Sequence, residues 1–459
     1  MSAPLKRLSL RETLRRSPGL AERRLFGAGT SVGLADIAGG TTLGEAGPML
    51  AGRSVLLRVD DPLAAAIALI ELDGVARRIV LCPPDLADES LPGVIETAYV
   101  NAVVYDKAPP PYAADLLGAR VTLPAKASDE LPEASRDTEW VMFTSGTSGP
   151  PKMVAHSLAA LTGAIKPPVA GEAPPLWATF YDVRRYGGLQ ILLRALLGEG
   201  SMAITSPAEP MAAFMTRMTQ LGVTHLTGTP SHWRRVLMTP DVALAPSYVR
   251  LSGEIADQAV LDALAARFPG IPVGHAYALT EAGVGFEVND GLAGFPADYI
   301  GRSGAVEMRV VDGALQLRSS RAADGYVGET AAALKDDDGF VDTGDMVELR
   351  GGRYHFVGRR GGIINVGGLK VHPEEIEAVI NRHPAVRMSL VKGRRNPITG
   401  AIVVAEVVLH GCANDEAALR AEILADCRQS LPAFKVPTSV KFTPALALNA
   451  NGKLERAIA

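Results

Sequence analysis

Between Ser54 and Leu279 short β-rich runs alternate with helical stretches, the pattern of a chain that lays parallel strands side by side and covers them with the connecting helices. SVLLRVD (54–60) leads into DPLAAAIALIEL, and VTHLTGT (223–229) leads into PSHWRRVLM. GSMAIT (200–205) is followed by Met211, Phe214, Met215, Met218 and Leu221 at three- and four-residue spacings, and YVRLSGE (248–254) by ADQAVLDALAARFPG. Spaced in that way, the Met and Phe side chains read as a buried helix face and not as a ligand site.

After Gly283 the pattern changes to shorter β-like runs separated by turn residues, AVEMRVV, ALQLRSS, MVELRGG and RYHFVG. They predict a β-rich subdomain ending near Gly358. RRGGIINVGG then reads as a hinge. Beyond it HPEEIEAVINRH predicts a helix, VVAEVVL a strand and DEAALRAEILADCRQSL a second helix. The expected fold class is α/β. A large N-terminal domain over 1–358 combines βα subdomains with the β-rich one, a hinge follows at 359–362, and a small mobile α+β domain occupies 363–459.

Composition narrows the function. A length of 459 residues, at roughly 100–200 residues per domain, suggests more than one folding unit. Lys and Arg number 46 against 50 Asp and Glu, a net charge of −4, which argues against a globally basic nucleic-acid binder or a polybasic membrane binder. The longest apolar runs, such as Leu63 to Ile70, fall well short of the ~20 residues that cross a bilayer, so no transmembrane segment is expected. Cys82, Cys412 and Cys427 are too scattered for a disulfide framework or a CxxC metal site, and a reducing, cytoplasmic location fits them. Glu12 and Glu22 interrupt the arginines of the first 26 residues, and Ser9-Leu10-Arg11-Glu12 reads as a capping box. An amphipathic N-terminal helix is expected there rather than a targeting peptide.

WVMFTSGTSG (140–149) runs from a β-like stretch into a loop of Thr, Ser and Gly, followed by Pro150, Pro151 and Lys152. Thr144, Ser145, Gly146, Thr147, Ser148 and Gly149 offer hydroxyls and unhindered backbone N–H groups, and Lys152 an ammonium, which together can hold a polyphosphate. On composition alone such a stretch is more often only a turn. It is not a Walker A loop, because Pro151 stands where that motif needs Gly and Met153 where it needs Ser or Thr.

TSGTSGPPK (144–152) closely resembles the phosphate loop of the ANL superfamily of adenylate-forming enzymes, which includes acyl- and aryl-CoA synthetases, adenylation domains of nonribosomal peptide synthetases, and luciferases. Four further segments resemble that family's signatures in the same order: YALTEAG (277–283), DTGD (342–345), GRRGGIINVGGLKVHPEEIE (358–377) and NANGKLER (449–456). The resemblance assigns Thr144 to Gly149 and Lys152 to the phosphates of ATP, and Tyr277 to the adenine region. It places Thr280 at a phosphate and Glu281 at Mg²⁺. Asp345 resembles the carboxylate that accepts from the ribose hydroxyls, with Arg359 beside it, and an acceptor-only group suits a diol.

Lys453 matches the family's catalytic lysine. When a carboxylate attacks the α-phosphate, negative charge builds on phosphoryl and carboxyl oxygens, and one positioned ammonium can neutralise both. Lys453 lies in the small domain and the phosphate loop in the large one, so the resemblance implies that the site forms by domain closure. Gly361 and Gly362 stand where the family hinge more often has an Asp pair or a Lys, and glycine's conformational freedom predicts a looser hinge. Gly367 and Gly368 resemble the loop lining the pantetheine tunnel of acyl-CoA synthetases; a simple turn is the plainer reading.

By the same resemblance the acyl pocket is expected from TFYDVRRYGGLQ with Tyr181, from Gly253 and its neighbours Ser252 and Glu254, and from Gly274 to Ala278 with Val284 and Gly285. Gly253 and Gly274 would leave room for a ring or chain. Arg184 or Arg185 could meet a second carboxylate, although two consecutive arginines more often sit on a solvated helix start. Only 143 residues precede Thr144, which predicts a shortened N-terminal subdomain.

The resemblance implies a carboxylate ligase that uses ATP, Mg²⁺ and coenzyme A, takes a small carboxylic acid as substrate and forms an acyl-adenylate before a CoA thioester, with a homodimer as a further expectation. A standalone ligase that loads an acyl carrier protein is the nearest rival, since both acceptors end in the same thiol arm. A catalytically silent adenylate-binding regulator is disfavoured by the presence together of Lys152, Glu281, Asp345 and Lys453.

Overall fold

The computed structural model describes residues 8–128, 130–144, 152–169, 171–206, 209–239, 243–328, 333–396, 399–411, 415–448 and 453–454. Among them the strands of the large domain form a seven-, an eight- and a five-stranded sheet and one two-stranded pair, Gly40–Thr41 with Lys126–Ala127. Ser54–Arg58 is an inner strand of the first, in parallel register with Arg78–Leu81 on one side and Ala102–Tyr105 on the other. Its residues Val55, Leu56 and Leu57 are buried on both faces, as an apolar run in a parallel sheet requires.

The second sheet carries the parallel strands Ser201–Ile204, Leu176–Thr179, His225–Gly228, Tyr248–Ser252 and Val273–Leu279, and Gly283–Val288 turns back antiparallel at its edge. Between the two sheets lie the helices Pro62–Leu72 and Tyr186–Leu197, whose side chains join residues of both sheets in one core. Pro62–Leu72 starts cleanly because Asp61 accepts the amide of Ala64 and Pro62 has no amide to leave unpaired. Every one of its residues is buried, which explains a sequence that is apolar all round. The capping box at Ser9 and Glu12 forms as expected and opens the helix Leu10–Arg16. Phe214, Met215 and Met218 are core side chains.

The β-like runs after Gly283 become the third sheet, in which Val341–Arg350 pairs with Ala314–Ser319 and with Arg353–Arg359. A single 3₁₀ turn, Arg360–Gly362, leads to the small domain. There Val386–Asn396, Gly400–Leu409 and Ser439–Phe442 form a sheet that shares a core with the helices Pro373–Ile380 and Glu416–Ser430. Cys82 and Cys427 are free, buried thiols, and Cys412 lies outside the described residues. No helix among the described residues is long and apolar enough to cross a membrane.

Candidate active site

In an open α/β sheet the crevice beyond the carboxyl ends of parallel strands collects functional groups, because successive loops emerge there together. Tyr181 lies just past Leu176–Thr179, Thr229 follows His225–Gly228, Gly253 and Glu254 follow Tyr248–Ser252, and Thr280 and Glu281 follow Val273–Leu279.

Tyr277 reaches out of this sheet to the third one. Its hydroxyl donates to Oδ2 of Asp345 at 2.6 Å, and Nε of Arg359 donates to Oδ1 of the same carboxylate at 2.8 Å. Asp345 and Arg359 face each other across neighbouring strands, so register fixes their pairing. The Tyr277 ring lies nearly parallel to Phe286 and Phe356, with centroids 5.4 and 5.0 Å away. Burial, and then the charge of Asp345, push its phenol well above the usual tyrosine range, so it stays a donor. Each oxygen of Asp345 retains a lone pair, enough to accept from a ribose diol.

Burial raises the Glu281 carboxyl above its ordinary value, while its own backbone amide, Arg359 and Lys152 pull it back. The Lys152 ammonium stands 5.7 Å from the centre of the Tyr326 ring. A desolvated carboxylate within electrostatic reach of Lys152 fits Mg²⁺, which characteristically takes one or two protein carboxylates and completes its shell with phosphate and water. No group of three or more His, Cys, Asp or Glu able to hold a metal is gathered among the described residues.

The carbonyl of Thr280 accepts from Nε2 of His156 at 2.8 Å. His156 is fully buried, and desolvation lowers it to about 4 in spite of that bond. It is the neutral tautomer with hydrogen on Nε2, because its partner is a carbonyl. Nδ1 is buried without a hydrogen-bond partner among the described residues. Sequence reasoning missed this residue, whose signal was one polar side chain inside the strand Met153–Ser157.

Lys453 arrives from the small domain. A Cβ placed on Gly253 would lie 3.4 Å from Cε of Lys453 and 3.9 Å from Nζ. The next residue, Leu454, donates its amide to Oε1 of Glu254 at 3.0 Å, and the other oxygen of Glu254 accepts the amide of Ser231 at 2.9 Å. Burial lowers the Lys453 ammonium, Glu254 raises it, Arg359 and Arg185 lower it, and Asp345 raises it. The lysine thus stands within electrostatic reach of the Asp345–Arg359 pair.

The remaining expected residues divide. The amide of Thr144 donates to the carbonyl of Lys152 at 2.9 Å and closes the base of the loop, while Ser145, Gly146, Thr147, Ser148 and Gly149 lie outside the described residues. Tyr181 donates its hydroxyl to the carbonyl of Ser252 at 2.8 Å, and Ala278 pairs with Val284 beside a bulge. Gly274 leaves no room for substrate. A Cβ there would meet Oδ1 of Asn289 at 2.1 Å, so its space is already filled by that side chain. Gly367 and Gly368, at φ +58° and +88°, are the two-residue turn between Ile364–Val366 and Leu369–Val371, a turn type that needs positive φ at both positions.

Arg184 corrects the expectation of a solvated helix start. It is 1% exposed, chelates Asp182 through Nε and Nη2, and also donates to the carbonyl of Val59. Arg185 pairs with Asp85. Both guanidiniums have a protein carboxylate as partner, while Nε of Arg185 is buried without a hydrogen bond among the described residues.

Comparison with known proteins agrees with the geometry. Residues 62–330 match the family described as AMP-binding enzyme, and residues 375–453 its C-terminal domain. The 2-succinylbenzoate–CoA ligase of Geobacillus kaustophilus is 30% identical over 341 residues, 69% of this chain and 67% of its own. Among solved structures, ATP-bound MatB from Rhodopseudomonas palustris superposes with a TM-score of 0.77 at 21% identity, over 97% of both chains. MenE of E. coli with bound OSB-AMS gives 0.75 at 19% identity, over 96% of this chain and 97% of its own. The chain belongs to the AMP-binding enzymes, and its ordered signatures and domain pair make it an adenylate-forming CoA ligase of the ANL superfamily.

Proposed function

We propose that this ATP-dependent acid–thiol ligase activates a carboxylic acid carrying a second anionic group, with Lys453, Thr280 and Glu281 acting on the reacting groups. The observation that carries the reading is the entry of Lys453 from the small domain to Gly253, within reach of Asp345 and Arg359.

In the first step a carboxylate oxygen of the acid bonds to the α-phosphorus of ATP, and the bond from that phosphorus to pyrophosphate breaks. The Lys453 ammonium neutralises charge growing on the carboxyl and α-phosphoryl oxygens. Lys152 holds phosphate, Asp345 accepts from the ribose hydroxyls, and Tyr277 and Arg359 keep that carboxylate in place. A Mg²⁺ ion held at Glu281 would add positive charge at the departing pyrophosphate. In the second step a thiol sulfur bonds to the acyl carbon, AMP leaves with the former C–O electron pair, and the thiol proton passes to solvent.

The relative named above acts on 2-succinylbenzoate, an acid with two carboxylates. An excess of cation, whose Arg250 acts electrostatically on Tyr181, supports a similar substrate here. Arg250 and Arg194 converge on the one carboxylate of Glu287 at 2.8 and 3.5 Å, and burial followed by Arg250 lowers Arg194 to about 10.

The test is ATP–pyrophosphate exchange with 2-succinylbenzoate and with monocarboxylate counterparts, using Lys453→Ala as control. Exchange that needs the second carboxylate and disappears in the variant supports the reading, whereas equal use of monocarboxylates overturns the anion preference. AMP release accelerated by free CoA identifies CoA as acceptor, and acceleration only by an acyl carrier protein would replace it with the carrier.

A further inference from the structure

The two domains meet at a second point, away from Lys453. Asp257 caps the helix Gln258–Arg267, its Oδ1 accepting the amide of Val260 at 3.0 Å. Its Oδ2 accepts from Arg234 of the large domain and, across the domain boundary, from Nδ2 of Asn381 at 3.2 Å. Asn381 follows the helix Pro373–Ile380, and its Oδ1 accepts from Oγ of Ser389 at 2.9 Å, which points the amide at Asp257. Arg234 also donates to the carbonyl of Arg387 at 3.4 Å.

The large domain makes both contacts with the same two segments. Glu254 and Asp257 are three residues apart in one loop, and each is tied to the helix Pro230–Leu237, through the amide of Ser231 and the guanidinium of Arg234. On the small domain, Ile376 and Ile380 of Pro373–Ile380 are packed into the core with Val391, Val403, Val407, Ile423 and Val440. A rigid body attached by a hinge and one contact can still turn about the line joining them. A second contact removes that freedom, and a lysine displaced by about 1 Å from a reacting phosphate loses much of its effect.

We propose that Asp257 and Asn381 form a latch that positions Lys453 for the adenylating step, which makes Asn381 a positioning residue for catalysis. The proposal rests on the adenylating role of Lys453. The latch is assigned to the attack on ATP and not to the later thiol attack, because it is made in the same domain arrangement that brings Lys453 beside Gly253.

Asn381→Asp keeps the side chain's size and its acceptor for Ser389 while setting two carboxylates against each other. Asp257→Asn keeps the helix cap. Combining the two exchanges donor and acceptor across the boundary and leaves the carboxylate, now at residue 381, beside the Arg234 guanidinium that Asp257 served, so the double variant is the rescue. With 2-succinylbenzoate as the acid, ATP–pyrophosphate exchange is expected to fall about tenfold in Asn381→Asp and to recover to within about threefold of wild type in the double variant. Capture of chemically supplied 2-succinylbenzoyl-adenylate by CoA should not fall. Equal loss of both steps, or no rescue, would overturn the latch.

A second readout needs no substrate. Hydrogen exchange at the Leu454 amide, held by Glu254, is expected to quicken in Asn381→Asp and to slow again in the double variant. Unchanged exchange there would overturn the latch, even if wild-type enzyme proved silent with 2-succinylbenzoate and the substrate reading failed.

Discussion

The Tyr277 hydroxyl lies 2.6 Å from Oδ2 of Asp345, a bond between two sheets whose partners are 68 residues apart in sequence. It fixes the carboxylate from one side while Arg359 fixes it from the other. Tyr277→Phe removes one hydrogen bond to a charged acceptor and leaves the ring packing intact. KM for ATP is expected to rise by about tenfold, with kcat nearly unchanged, because the bond orients a binding group and not a reacting one. Steady-state kinetics with ATP varied decides this, and a fall in kcat at constant KM would refute it.

His156 gives a stability signature. Its native form takes up a proton only near pH 4, against 6.5 for an ordinary histidine, mainly because of burial. Between these values the unfolded chain binds the proton and the native one does not. Stability is therefore full above 6.5 and falls as pH drops toward 4, by on the order of 3 kcal/mol from this residue. His156→Gln retains a donor for the Thr280 carbonyl and removes the titration, so its urea unfolding should lose less between about pH 7.5 and about pH 5 than wild type does. His156→Leu shares that flatter profile but frees Thr280, and should raise KM for ATP where His156→Gln does not.

The parts of the site that the sequence discloses are those written as contiguous motifs. Lys453, Asp345 and Glu281 stand in such motifs, and the fold brings their surroundings together. His156 and Glu254 act through partners 124 and 200 residues away, at Thr280 and Leu454, and no local spacing signals such contacts. Arg184 looked solvated because its neighbours are polar, yet Asp182 and the Val59 carbonyl satisfy it inside the core. Gly274 looked spacious because glycine lacks a side chain, and only the fold shows Asn289 filling the gap. In the small domain the strand Val386–Asn396 went unread, since the alternation of Val386, Met388 and Leu390 with Arg387 and Ser389 gives way to Lys392, Arg394 and Arg395 and breaks the pattern.

Gly253 separates backbone strain from contact with Lys453. Its φ of +86° is one that side-chain-bearing residues avoid. A Cβ would stand at ordinary contact distance, 3.4 Å from Cε of Lys453 and 3.7 Å from Cγ2 of Thr229. Gly253→Ala should cost about 1–2 kcal/mol of stability and part of the adenylation rate. Gly253→Val adds methyl groups to the same gap, so it should lose at least tenfold more turnover than the alanine variant while still binding ATP. Thermal unfolding and ATP–pyrophosphate exchange on the pair test this, and equal turnover in the two variants would show that the lysine does not pass close to residue 253.

Glu254 is expected to set the pH range over which Lys453 works. The ammonium is the form that neutralises charge, so adenylation should decline as pH rises through the pKa of Lys453. That pKa lies below the ordinary lysine value of 10.5, chiefly through burial, and Glu254 is the strongest influence raising it. Glu254→Gln removes the negative charge and keeps one oxygen to accept the Leu454 amide, at the cost of the bond from the Ser231 amide to the other oxygen. The alkaline limb of kcat/KM, which reports the free enzyme, should therefore move to lower pH, with little change on the acid side. Loss of the Leu454 anchor alone would lower the rate at every pH and leave the limb in place. A pH profile of the variant with ATP subsaturating distinguishes the two, and an unmoved limb would mean that Glu254 acts only through the backbone of Leu454.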